Sequence, residues 1–296
     1  MRKLLVALVP TLLVVSTTGR AQNGEVSLTI SRVDLPVIVD DRPFCVSLPE
    51  DGQLIAFQSE RAGGEGRQDI WLSRWEKGRW SQPYNAGPGV NTVSNEVDAK
   101  FSADGKTMVF IRGDNFRKAS QIYISHFRNG RWSQAELVGA AVSPPDTVEF
   151  GALLSRDSNR LYFASNRPGG HGGLDLYYSE RRGEKWLDPV NLGAGINTPE
   201  NEVDLALSRD GNTIILPTRR ADSIGNSTDL YISRFENGAW SPIENLGPRI
   251  NTPATDTCPW LGFDGHTLYV NTEWDGLIQG EKGSLWIWKF EHSGGF

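Results

Sequence analysis

The chain has 296 residues, with 36 acidic against 30 basic side chains and a net charge of −6. That balance argues against an electrostatic footprint for nucleic acid or an anionic lipid surface. Hydrophobic residues at 38% and charged ones at 22% belong to a folded domain rather than a disordered one, and 32 glycines with 10 tryptophans point to many turns and an aromatic-rich β core.

The N-terminus reads Met1-Arg2-Lys3, then an apolar run from Leu4 to Val15, then small residues Gly19 and Ala21 at the cleavage positions. This is the layout of a secretory signal, and the run falls short of the roughly 20 residues a membrane span needs. The expectation is that residues 1–21 are removed, leaving a single exported domain, 22–296, that is periplasmic or secreted. No later stretch is apolar enough to span a bilayer. Losing Arg2, Lys3 and Arg20 removes three positive charges and leaves a net charge of −9. The next segment, Val26–Ser31, is β-prone.

From there the chain repeats. Asp-Gly pairs stand at Asp51-Gly52, Asp104-Gly105, Asp210-Gly211 and Asp264-Gly265, with Asp157-Ser158 as a degenerate copy, at spacings of 53 or 54 residues. Each is followed by two apolar strands in the same phase, for example Leu54–Phe57 and Ile70–Leu72, or Leu161–Phe163 and Leu176–Tyr178. A tryptophan then follows in four copies, at Trp80, Trp132, Trp186 and Trp240, and Asn191–Thr198 recurs as Asn245–Thr252. No segment keeps a helical period. Four short antiparallel strands per repeat, A to D, are the blade of a β-propeller, so five repeats predict an all-β, five-bladed propeller. The fifth copy stops at Phe296 without a D strand. The N-terminal strand near residues 26–35 is expected to supply it and close the ring, leaving no open sheet edge.

Comparison among the repeats assigns roles. Arg61, Arg167 and Arg220 occur with Asp69, Asp175 and Asp229 in blades one, three and four, and both members are missing in blades two and five. That joint loss predicts structural Arg–Asp pairs tying each B–C loop. The repeated tryptophans are expected to pack between blades. Eight residues before the turn aspartate stand Pro43, Glu96, Glu149, Glu202 and Asp256; two residues later stand Cys45, Asp98, Gly151, Asp204 and Cys258. The first strand of a propeller blade lines the central channel, so these positions form two rings near one mouth. Glu96, Asp98, Glu149, Glu202, Asp204 and Asp256 are therefore candidate binding residues. So many like charges either raise some pKa values or attract a cation, the one cofactor this pattern admits; alternatively each acid caps backbone N–H groups of its own D–A turn. Cys45 and Cys258 share one strand position in the first and fifth blades, which become neighbours only on ring closure, and export permits oxidation, so a disulfide is expected. The variable B–C loops on the same face are where a ligand is expected.

The run Asp157–Asp175, with Ser165-Asn166-Arg167-Pro168-Gly169-Gly170-His171-Gly172-Gly173 inside it, resembles the repeat of TolB-type (WD40-like) propellers. The same repeat occurs in propellers attached to peptidoglycan-associated proteins of Gram-negative bacteria. The resemblance implies a propeller acting in the cell envelope on a protein or saccharide partner. No Gly-x-Ser-x-Gly elbow, His-Glu-x-x-His or phosphate-cradling loop is present. Two function classes stay open: a monomeric binding module using the acidic mouth, and a glycoside hydrolase using two of its carboxylates.

Overall fold

The computed structural model describes residues 15–21, 24–33, 44–275, 282–293 and 295–296. They form five antiparallel sheets, one per repeat. Blade one runs Phe44–Ser47, Leu54–Ser59 and Asp69–Glu76, with a D strand in two pieces, Arg79–Trp80 and Tyr84–Asn85. Blades two, three and four repeat this plan, with inner strands at Asn95–Phe101, Glu149–Leu154 and Ala206–Leu207. The D strand breaks because a serine takes over the ladder. In blade one the Ser81 Oγ accepts the Arg74 N–H at 3.0 Å while the Ser73 hydroxyl donates to the Ser81 carbonyl at 2.7 Å. Ser133 and Ser241 do the same in blades two and four.

The Asp-Gly ruler works through backbone chemistry. At each A–B turn the aspartate Oδ1 accepts the N–H two residues on, between 2.8 and 3.1 Å from Asp51 to Asp264. The next residue adopts positive φ, +67° at Gly105, where glycine pays no steric penalty. Ser158 occupies the same turn at φ +59°.

The ring closes as expected. Gly24–Arg32 pairs antiparallel with Lys282–His292, aligning Ile30 with Phe290, and so completes the blade built from Thr255–Leu261 and Thr267–Asp275. Val15–Ala21 pairs outside it; a chain cleaved after Ala21 would keep Gly24–Arg32 as the outermost strand. Leu35 and Pro43 lie outside the described residues.

The core is divided by seam. Five clusters of buried side chains each join two neighbouring blades, such as Ala56, Ile70 and Leu72 of blade one against Phe101, Met108 and Phe110 of blade two. The repeated tryptophans sit in these seams. Trp132 packs within 5.9 Å of Phe101, and Trp240 joins the cluster between blades three and four. Among the described residues no helix is long and apolar enough to cross a membrane.

Candidate functional site at the central channel

The first ring of acids turns inward, each within its own blade. Thr198 donates both its N–H and its hydroxyl to the Glu202 carboxylate, at 3.0 and 2.6 Å, and the Thr218 hydroxyl adds a third contact. Thr92 holds Glu96 in the same way, with Arg112 Nε donating at 2.7 Å. Thr252 and Thr272 hold Asp256, and Thr147 and Ser165 hold Glu149. All four side chains are fully buried. Burial pushes their pKa values up against these hydrogen bonds, to about 6 for Asp256. No hydrogen bond or ion pair among the described residues joins any two of them. They order the D–A turns, the alternative that the repeat phase left open.

The second ring is different: its members reach across the channel. At the shared position the backbone bulges, and the register of four inner strands slips there. Cys45, Asp98, Gly151 and Cys258 all have positive φ, between +47° and +58°. The bulge frees an N–H that the preceding blade then satisfies: Cys45 N–H donates to Asn271 Oδ1 at 3.0 Å, and Asp98 N–H to Gln58 Oε1 at 2.7 Å. Gly151 N–H donates to Asp98 Oδ2 at 2.8 Å. What singles out glycine at 151 is space, since a Cβ there would stand 2.7 Å from the Cα of Asp204.

The centre of this ring is a residue the sequence reading missed. Lys100, fully buried, places its Nζ 3.2 Å from Asp98 and 3.3 Å from Asp204, and 5.9 Å from the ring centre of Trp260. Burial works against its charge, but Asp204 and Asp98 outweigh it and raise its pKa. Asp204 itself is pushed up to about 7 by burial and by Asp98, with Lys100 opposing. A signal was present: the positions in phase with Lys100 are Ser47, Leu153, Ala206 and Trp260, so a lone cation stood out on an inner strand. Cys45 and Cys258 are bonded, their Cα atoms 5.0 Å apart, joining the first and fifth blades. The two sulfurs and an Asp204 oxygen lie within 4.8 Å of one another, but the bridge occupies both sulfurs, leaving a single carboxylate as a metal ligand there.

The Arg–Asp pairs require correction. Asp69 accepts the N–H groups of Glu65 and Gly66 and the amide of Asn85. Asp175 accepts those of His171, Gly172 and Asn191; Asp229 accepts those of Ile224 and Asn245. Among the described residues no ion pair joins these aspartates to Arg61, Arg167 or Arg220. The arginines instead lie over the aromatic ring two residues past the aspartate, on Trp71, Tyr177 and Tyr231, at 4.9, 5.0 and 5.9 Å. Arginine and aspartate vary together because both shape one loop, not because they touch.

At the A–B turns, the channel's other end, a second contact reaches across the ring. Glu50 of blade one takes Arg156 of blade three and Arg209 of blade four, each at 2.9 Å. Its pKa is lowered, first by the Arg156 hydrogen bond. Each of the three stands immediately before its turn aspartate. Two open cavities also lie toward this face, between blades, lined by A–B turns and C–D hairpins. The blade-five B–C loop lies partly outside the described residues.

No known family matches the sequence, and no curated protein does. Solved structures do. The TolB of Acinetobacter baumannii superposes with a TM-score of 0.56 at 18% identity over 92% of this chain. The fold is that of a TolB-like β-propeller. A TolB structure from Agrobacterium tumefaciens gives 0.54 at 16% identity, over 86% of this chain and 79% of that one. An α-L-arabinofuranosidase from Lactobacillus brevis gives 0.51 at 14%, over 86% and 91%. This TolB-like chain spans 60% of the Acinetobacter protein's length.

Proposed function

We propose that this TolB-like propeller is an exported, monomeric binding module of the bacterial cell envelope, engaging a protein or saccharide. One observation carries the reading: Glu96, Asp98, Glu149, Glu202, Asp204 and Asp256 are all at least 95% buried and already bonded within the fold. A glycosidase needs two carboxylates facing a substrate roughly 5 to 9.5 Å apart. Here the acids shape the D–A turns or pair with Lys100, Arg112 and Arg167, so a cation or a partner's basic group at the mouth meets a scaffold and not a catalytic pair. The Cys45–Cys258 bridge supports export, since such bonds persist in oxidising compartments.

A second reading, glycoside hydrolysis, draws on Asp204, whose pKa of about 7 suits a general acid. Incubating the protein with arabino- and xylo-oligosaccharides and assaying reducing ends separates the two. The module leaves every glycoside intact. Release of sugar that is lost in Glu202→Gln or Asp204→Asn would overturn it.

A further inference from the structure

On the A–B side, blades one and two part around a groove of about 890 Å³. Arg74, Lys106, Arg128 and Arg131 line it, and all four are exposed. The two acids that share it are engaged in their own turns: Asp51 accepts the Gln53 N–H, and Asp104 accepts the Ser102 hydroxyl and the Lys106 N–H. Among the described residues none of the four cations forms an ion pair. The groove, with four cations against two acids, therefore carries net positive charge on a chain of net charge −6. Tyr84, 38% exposed, stands on its wall with the Arg74 guanidinium 6.0 Å from its ring centre.

The corresponding groove between blades three and four, about 870 Å³, provides the contrast. Its Arg160 is paired with Glu180 at 2.9 Å, and its Arg156 and Arg209 are held by Glu50. Two grooves of one size and one architecture thus differ in how many of their cations are paired: among the described residues only Arg181 of the second lacks an ion pair, and it lies over the Trp186 ring at 5.9 Å.

We propose that the groove between blades one and two binds an oligosaccharide bearing carboxylates, which deepens and rests on the binding-module reading. Arginine forks match carboxylates in paired hydrogen bonds. Tyr84 offers an apolar surface to a sugar ring, and the exposed Gln134 amide can bond hydroxyls. An acidic peptide fits less well, because the wall's backbone is already bonded. Ala86 N–H donates to Ile70, the Gly87 carbonyl accepts from Val90 and Asn91, and the Gly89 carbonyl accepts from Ala135. These groups are already taken and offer nothing to an added strand.

Isothermal titration of the protein with trigalacturonic acid, maltotriose and triglutamate tests this. Trigalacturonic acid should bind at least about tenfold tighter than either other ligand, and more weakly as salt is added. The Arg128→Ala/Arg131→Ala double variant should weaken binding roughly tenfold or more, Tyr84→Ala several-fold, and Arg160→Ala in the other groove should leave it unchanged. Equal affinity for the neutral trimer or the peptide, no binding at all, or binding indifferent to the double variant would each overturn the proposal. Those failures leave the module reading standing; only enzymatic release of reducing ends from the trimer would remove that as well.

Discussion

The two rings of the channel are built two residues apart on the same segments, yet they hold the fold in different ways. The outer ring repeats nearly unchanged, and the carboxylates bond within their own blades and D–A turns: Glu202 to Thr198 and Thr218, Asp256 to Thr252 and Thr272. The inner ring varies, and its members bond across blades: Asp98 to Gly151, Lys100 to Asp204, Cys45 to Cys258. A residue that repeats can do only what every blade needs. A contact that spans the ring must break the repeat, because only the blades it joins carry its residues.

That contrast predicts where the fold is most fragile. Lys100→Met leaves Asp98 and Asp204 buried with no cation between them, and removing one partner of a buried pair costs about 3–5 kcal/mol. Urea denaturation should show that loss, and adding Asp204→Asn should recover part of it, since the substitution removes a carboxyl whose ionisation burial and Asp98 both oppose. A loss under about 1 kcal/mol would mean that water or a bound ion already screens the pair.

Opening the disulfide should rank next. Cys45→Ser/Cys258→Ser is expected to lower stability by about 2–4 kcal/mol, chiefly by freeing the unfolded chain across the 213-residue separation. Calorimetry with and without reductant checks it. An unchanged melting temperature would place the seam's strength in the Gly24–Arg32 strand instead.

Titration separates the channel acids from the turn acids. Asp256 and Asp204 have raised pKa values, about 6 and about 7, so the folded state binds protons more tightly than the unfolded one. Their contribution is full below about pH 4 and is lost as pH rises through 6 to 7. Asp157 and Asp210 are lowered, first by the Ser155 and Ser208 hydroxyls, so their contribution is present above about pH 4 and is lost as pH falls through their folded values. The urea midpoint should therefore peak mildly acid and decline toward neutrality, and Asp256→Asn should flatten the lower part of that decline. A midpoint that rises steadily from pH 4 to 7 would contradict this assignment.

The smallest effects belong to the outer ring. Thr198→Val or Thr252→Val removes a hydroxyl donor to a buried carboxylate and should cost about 1–2 kcal/mol. The two should add within about 0.5 kcal/mol, being in separate blades, whereas inner-ring substitutions should not. Strong coupling between the two threonine variants would erase the distinction between the rings.

The sequence by itself determined the number of blades, the closing strand and the partnership of Cys45 with Cys258. Each follows from repeat phase, and phase fixes strand position whatever the side chains touch. Only the tertiary structure decided what the charged residues do. Glu96 and Glu202 share a phase with a channel-lining position, but their neighbours Thr92 and Thr198 bend the carboxylates back into the turn. Arg167 and Asp175 vary together without meeting, since the aspartate is saturated by N–H donors and the arginine stacks on Tyr177. Lys100 sits 104 residues from Asp204, and Glu50 sits 106 from Arg156. No local pattern joins residues so distant; closing five blades around one axis does.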